Sequence, residues 1–178
     1  MGNGKTGRPS FPNLEHFNKI MKYTTGDLLE LFDNDEVQCV LHVANCQGVM
    51  GSGIALQIKE QFPQAYTAYK KDEQRNNGLI LGSYSMAAIR EEACIVNLHA
   101  QDFYGVGSRQ LNYEALYNSL EQVAQTLKFA NFTGVIGVPE KMGSDRAGGN
   151  WEIVEKIVEV TMKDFDVLIV SYDGNDNR

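Results

Sequence analysis

Apolar positions along this chain come in short runs broken by glycine-rich and charged stretches, and the spacing within the runs switches between two periods. Val37–Ala44 (VQCVLHVA) is dense in β-branched residues and reads as a strand. Gly48, Gly51 and Gly53 follow, and Ile54–Phe62 then takes up helical spacing. Pro63 suits a first helical position, so Gln64–Lys70 is expected to continue as another helix. Leu79–Ala87 and Cys94–Leu98 read as two strands joined by a polar turn around Arg90–Glu92. Behind Asn112, a favoured helix cap, Tyr113, Leu116, Leu120, Val123, Ala124 and Leu127 fall at three-and-four spacing and predict a long one-sided helix. Val135–Val138 is a short buried strand. Asn150 caps a last helix whose inner side carries Ile153, Val154, Ile157, Val158 and Thr161, and Val167–Ser171 is the final strand.

Alternating strands and helices imply an α/β fold, a largely parallel sheet covered on both faces. In such sheets ligands bind at the carboxyl ends of the strands, where loops run into helices. A length of 178 residues suits one domain, expected over 19–173. Residues 1–18, rich in Gly, Asn, Lys and Pro, read as a flexible extension with no core of its own, and 174–178 as a polar tail.

Composition narrows the partners. With 43% hydrophobic and 22% charged residues the chain is ordinary globular protein. A net charge of −7 argues against a nucleic-acid duplex as partner. It does not forbid a small anion, because backbone amides and helix N-termini bind phosphate without lysines. The three cysteines fit neither a disulfide framework nor a zinc site. Cys39 and Cys94 lie in strand-like runs and read as buried thiols in a reducing compartment. No apolar stretch approaches membrane-spanning length, and the first residues lack the apolar run of a signal peptide. The expectation is a cytoplasmic monomer with no membrane partner, no cofactor and no metal.

Three stretches can carry chemistry. In His42–Ala55 (HVANCQGVMGSGIA) a strand ends, the chain turns through three glycines and a helix begins. Such a turn lets backbone N–H groups converge on a diphosphate; it also serves as a plain strand-to-helix joint. Pro139–Trp151 (PEKMGSDRAGGNW) is a second glycine-rich joint. If the two preceding strands are neighbours, these loops face each other across a cleft. Asp145 and Arg146 are then cleft residues or a solvated ion pair on a mobile loop. In Tyr23–Leu29 (YTTGDLL), Asp27 either caps a short helix ending near Phe32 or accepts a hydrogen bond from an adenine amino group.

Together, Gly26-Asp27-Leu28, Ala44-Asn45 followed by Gly51-Ser52-Gly53-Ile54-Ala55, and the late Gly143–Trp151 loop resemble the macro domain, over roughly residues 20 to 172. The resemblance implies a three-layer α/β/α sandwich with a central mixed, mostly parallel sheet, and ADP-ribose or ADP-ribose 1''-phosphate as ligand. It implies that Asp27 binds the adenine amino group and Leu28 contributes its backbone amide. Asn45 would face the distal ribose. Gly51, Ser52, Gly53 and Ile54 on one side, and Met142, Gly143, Ser144, Asp145 and Arg146 on the other, would clamp the diphosphate. Tyr172 would pack on adenine, or it is a surface tyrosine at a strand end.

His42 stands where common macro domains carry asparagine. It resembles two atypical branches: yeast-type ADP-ribose 1''-phosphate phosphatases and hydrolases that free ADP-ribose from glutamate side chains. Tyr104–Leu116 (YGVGSRQLNYEAL) and Ala147–Trp151 are similar to phage-encoded, phosphatase-like macro proteins. The side-chain hydrolases use a lysine near the end of the fourth strand, where this chain reads Leu98-His99-Ala100-Gln101, and an aspartate matched by Asp145. With no amine to attack the anomeric carbon, a phosphatase is favoured. His42 and Asp145 are its expected proton-transfer pair. The alternatives are His42 as a core histidine, His99 in its place and Cys46 as a nucleophile. A glutamate-directed ADP-ribosyl hydrolase and a non-catalytic ADP-ribose-binding module are the competing functions.

Overall fold

The computed structural model describes residues 21–172 and Gly174. The extension expected at 1–18 and, apart from Gly174, the polar tail lie outside them. The described elements are β1 (Lys22–Thr25), α1 (Leu28–Asp33), β2 (Cys39–Asn45), α2 (Gly53–Gln61), α3 (Pro63–Asn76), β3 (Tyr84–Arg90), β4 (Ala93–Gln101), α4 (Tyr113–Phe129), β5 (Val135–Pro139), α5 (Trp151–Thr161) and β6 (Asp166–Ser171). The strands form one sheet in the order β1-β6-β5-β2-β4-β3. Every pairing is parallel except β3 with β4, the hairpin expected around Arg90–Glu92.

Helices cover both faces. On one, α4 and α5 bury Leu116, Leu120, Val154 and Val158 against Leu41, Val96, Ile136 and Val138. On the other, α1, α2 and α3 bury Leu29, Phe32, Ile58 and Ala65 against Val40 and Ile95. The result is the three-layer α/β/α sandwich with a mixed, mostly parallel sheet. β2 sits at its centre, which is why nearly every residue of Cys39–Asn45 is buried instead of every second one. Asn112 and Asn150 act as the expected caps, their side chains accepting from the amides of Ala115 and Glu152 at 2.9 Å each.

Four details differ from the sequence reading. β1 has all four residues exposed and is recruited by parallel pairing with β6, not by an apolar pattern. Leu79–Ser83 is a turn, since Gly78 and Gly82 take positive φ (131° and 85°), and the strand begins at Tyr84. The helix after Pro63 runs on to Asn76 through a charged stretch of good helix formers. Ile153 is 43% exposed and does not belong to the inner face of α5.

One topological fact positions the site. β2 and β5 are neighbours, with Cys39 opposite Ile136. The chain leaves β2 for α2 on one face and leaves β5 for α5 on the other. Two adjacent parallel strands whose continuations part to opposite faces open a crevice at their carboxyl ends.

Candidate functional site

A cleft of about 670 Å³ occupies that crevice, a volume suited to a ligand of nucleotide size. Its first wall is the turn after β2 and the N-terminus of α2. Asn45, Gly51, Ser52, Gly53 and Ile54 line it, and Gly53 takes φ +56° where the helix starts. The second wall is the loop after β5, where Met142, Gly143, Asp145 and Arg146 line the cleft. This loop is closed on itself by Gly149 N–H donating to Gly143 O at 3.0 Å, and Ala147 O accepts the amides of Gln110 and Leu111. Buried Met142 and Ala147 pin its base in the core while Asp145 and Arg146 stand at the exposed tip. The two glycine-rich joints therefore do face each other.

Asp27, Leu28 and Tyr172 line one end of the cleft region. Asp27 is also the helix cap: its Oδ1 accepts from Leu29 N at 2.8 Å and Glu30 N at 3.2 Å. Tyr172 is 54% exposed at the rim. Asn45 is 8% exposed, and its carboxamide mostly organises its own turn. Oδ1 accepts from Gln47 N (3.0 Å) and Val49 N (3.3 Å), and Nδ2 donates to Val49 O (2.7 Å). Ser144 is not among the cleft-lining residues; its N–H turns back to Lys141 O at 2.8 Å.

The expected His42–Asp145 pair is not assembled. His42 is fully buried and absent from the cleft lining. Strand alternation points it, like Val40, at the α3 layer, while the residues that border the cleft lie beyond it. There Asn97 Nδ2 donates to Ala65 O (3.1 Å) and Ser85 Oγ (3.0 Å), so Asn97 Oδ1 must be the atom 2.7 Å from His42 Nε2. That makes Nε2 the protonated nitrogen. Burial holds the imidazole pKa down at about 4, so the ring is a neutral structural group at neutral pH.

The other candidates fare similarly. His99 is fully buried beside Ser83 and Ser85 and outside the cleft lining, its pKa lowered by burial. Cys46 is half-buried, and burial lifts its thiol to about 11, which keeps it protonated and poorly nucleophilic. Asp145 alone of the proposed proton carriers lines the cleft.

Several cleft residues were not singled out by the sequence. Glu140 follows β5, its Oε2 accepting from Ser171 Oγ at 2.5 Å, and Lys141 lies beside it with φ +62°. Gln101, the last residue of β4, also lines the cleft. Past it the chain presents Tyr104, Gly105 and Val106 at the rim. The Phe103 and Tyr104 rings stack at 5.0 Å and 8°, each 51% exposed. Tyr104–Val106 open the stretch that resembles phage-encoded macro proteins, but that likeness assigned them no place in the cleft.

No protein-family model matches the chain. It is similar, at 29% identity over 157 residues, to a 17.5 kDa protein of the tk-vs intergenic region of Enterobacteria phage T4, covering 86% of this chain and 97% of that one. It is also similar to the DNA ADP-ribosyl glycohydrolase of Mycobacterium tuberculosis, 29% identical over 139 residues. That match takes in 77% of this chain but spans only 37% of the relative's length. A shorter likeness, 41% over 46 residues, is to the ADP-ribose 1''-phosphate phosphatase of Ajellomyces capsulatus, reaching 26% of this chain and 18% of that one. Among solved structures, the macrodomain of Mycobacterium tuberculosis DarG superimposes with a TM-score of 0.70 at 25% identity, covering 85% of this chain and 97% of that one. Thermosipho africanus DarTG in complex with ADP-ribose has the same fold at a TM-score of 0.67 and 16% identity, covering 88% and 43%. Sheet order, opposed glycine loops and these likenesses agree, and the chain has the macro-domain fold.

Proposed function

We propose that the cleft binds an ADP-ribose unit and hydrolyses the phosphate from its 1'' position. Adenine would lie at the Asp27 and Tyr172 end and the diphosphate between the two glycine walls. The distal ribose would then sit near Asn45, Gln101 and Asp145. The observation that carries this reading is the end of β4. Gln101 lines the cleft there and offers a carboxamide, which hydrogen-bonds but does not attack an anomeric carbon. Water would be the nucleophile, and Asp145, on the second wall, would manage its proton. In this scheme Asp145 takes a proton from water as its oxygen bonds to phosphorus. The bond between phosphorus and the 1'' oxygen breaks, Asp145 returns the proton to that oxygen, and phosphate and ADP-ribose leave. Arg146 and the loop amides would stabilise the charge that gathers on the phosphoryl oxygens.

A second reading has a specific observation behind it. The relative named DNA ADP-ribosyl glycohydrolase aligns with far more of the chain than the phosphatase does. The stacked, exposed Phe103 and Tyr104 at the rim also offer a flat apolar surface to a larger leaving group. One experiment separates the readings. The protein is incubated in EDTA with ADP-ribose 1''-phosphate, with ADP-ribosylated single-stranded DNA and with glutamate-ADP-ribosylated protein, and free phosphate and free ADP-ribose are followed. Phosphate from the first substrate alone supports the phosphatase. ADP-ribose released from DNA, with no phosphate from the first, replaces it with the second reading. Tight ADP-ribose binding without either product refutes both.

A further inference from the structure

The turn that forms the first wall is gripped from behind by a side chain outside the cleft. Tyr69, on α3, is fully buried in a small cluster with Ala44 and Met50. Its hydroxyl donates to Asn45 O at 2.5 Å and lies 3.1 Å from Asn45 Oδ1. One phenol thus meets both oxygens of the residue that ends β2. Burial raises the phenol's pKa, with the nearby Gly48 and Val49 amides pulling the other way, so the hydroxyl keeps its proton and remains a donor.

The rest of the turn is stacked on the same contact. Asn45 Oδ1 collects the amides of Gln47 and Val49, and Nδ2 returns a bond to Val49 O. A carboxamide nitrogen carries two hydrogens. With one spent on Val49, the other is what Asn45 has to turn toward a ligand. Gly48, with φ +73°, lies so close to α3 that a Cβ would stand 2.6 Å from Glu73 Oε1 and 2.7 Å from Lys70 Nζ. The outer side of the turn therefore rests on α3, and its inner side faces the cleft.

We propose that Tyr69 is a positioning residue for this wall: its hydroxyl, by tying the main-chain and side-chain oxygens of Asn45 together, holds the 45–49 turn in the shape that receives the diphosphate and distal ribose. Asn45 then reaches ligand only as accurately as α3 sets it. This inference rests on the ADP-ribose reading of the cleft.

The test compares Tyr69→Phe, which removes only the hydroxyl, with Tyr66→Phe, a neighbouring ring packed against the same cluster. ADP-ribose and AMP are titrated calorimetrically into both variants and the unaltered protein. AMP fills the adenine end and reaches less of the 45–49 turn. The expected result is an ADP-ribose affinity about tenfold weaker in Tyr69→Phe, with AMP within about twofold and Tyr66→Phe unchanged for both. Equal losses for the two ligands would mean general loosening, and no loss for either would mean no role; both overturn the proposal. If the unaltered protein binds no ADP-ribose, it is the proposed function that fails. Amide hydrogen exchange on the unaltered protein decides the matter should Tyr69→Phe not fold or ADP-ribose not bind. Gln47 and Val49 should be protected like core amides, and exchange at open-loop rates would refute a held turn.

Discussion

Replacing His42 by asparagine tests whether this histidine is structural. The unfolded chain binds a proton at the ordinary imidazole pKa near 6.5, whereas burial lowers the folded value to about 4. Between those values the unfolded state holds more protons, so stability falls as pH falls. From pH 7.5 to pH 5.0 the two pKa values give a loss of about 2 kcal/mol, rising to about 3 kcal/mol once the pH is below 4. His99, also lowered by burial, adds a loss of the same sign, so the comparison must be a difference of differences. Urea unfolding of the unaltered protein and of His42→Asn is measured at pH 7.5 and 5.0. Asparagine keeps a donor for Asn97 Oδ1 and does not titrate, and any packing cost it brings is the same at both pH values. The unaltered protein should lose about 2 kcal/mol more than the variant between the two conditions. Equal losses would refute a neutral, buried His42. Turnover of the variant at pH 7.5 tests the same point independently. A few-fold change fits a structural residue, while a fall of about a hundredfold or more would restore His42 to the chemistry.

The remaining predictions concern the second wall and the core. Asp145→Asn should lower kcat by about 10²–10⁴-fold while leaving ADP-ribose affinity within a few fold, measured by steady-state kinetics and calorimetry. An affinity loss that accounts for the whole kinetic effect would make Asp145 a binding group instead. Gly149→Ala would set a Cβ 2.7 Å from Gly143 O and 2.5 Å from Leu111 Cδ2. Breaking the closure of that loop should weaken ADP-ribose by about tenfold or more, seen as a smaller ligand-induced thermal shift. Gly137→Ala, in the middle of β5, would push a Cβ to 2.5 Å from Leu28 Cδ1 and 2.8 Å from Val37 Cγ1. It should destabilise by about 1–3 kcal/mol in urea, because a packed interior does not absorb an extra methyl.

The sequence exposed the fold wherever burial wrote a period into it. α4 and α5 carry one-sided apolar stripes behind asparagine caps, and β2 is buried almost throughout and mostly apolar because helices cover both its faces. β1 escaped notice because an edge strand with four exposed residues has no such pattern; it is made by its neighbour. Leu79–Ser83 misled for the opposite reason, apolar residues occupying a turn whose two glycines set the backbone. In the site, the loops were legible because glycine and strand-to-helix context act locally. His42 was misassigned because nearness in sequence to Asn45 says nothing about which face a side chain takes. The cleft lining begins one residue later, at Val43, on the opposite side of the strand. Tyr69 could not be found at all: it sits 24 positions from Asn45, on a helix whose pattern marks it as one more core aromatic.

The parting of the chain at the ends of β2 and β5 has a mechanical consequence. One jaw of the cleft is anchored in the layer of α2 and α3, the other in the layer of α5, and the sheet is the hinge plate between them. A ligand gripped by both jaws rivets the two outer layers to each other across that plate. Saturating ligand should therefore slow hydrogen exchange on α3 and α5 together, although neither helix body touches the bound molecule.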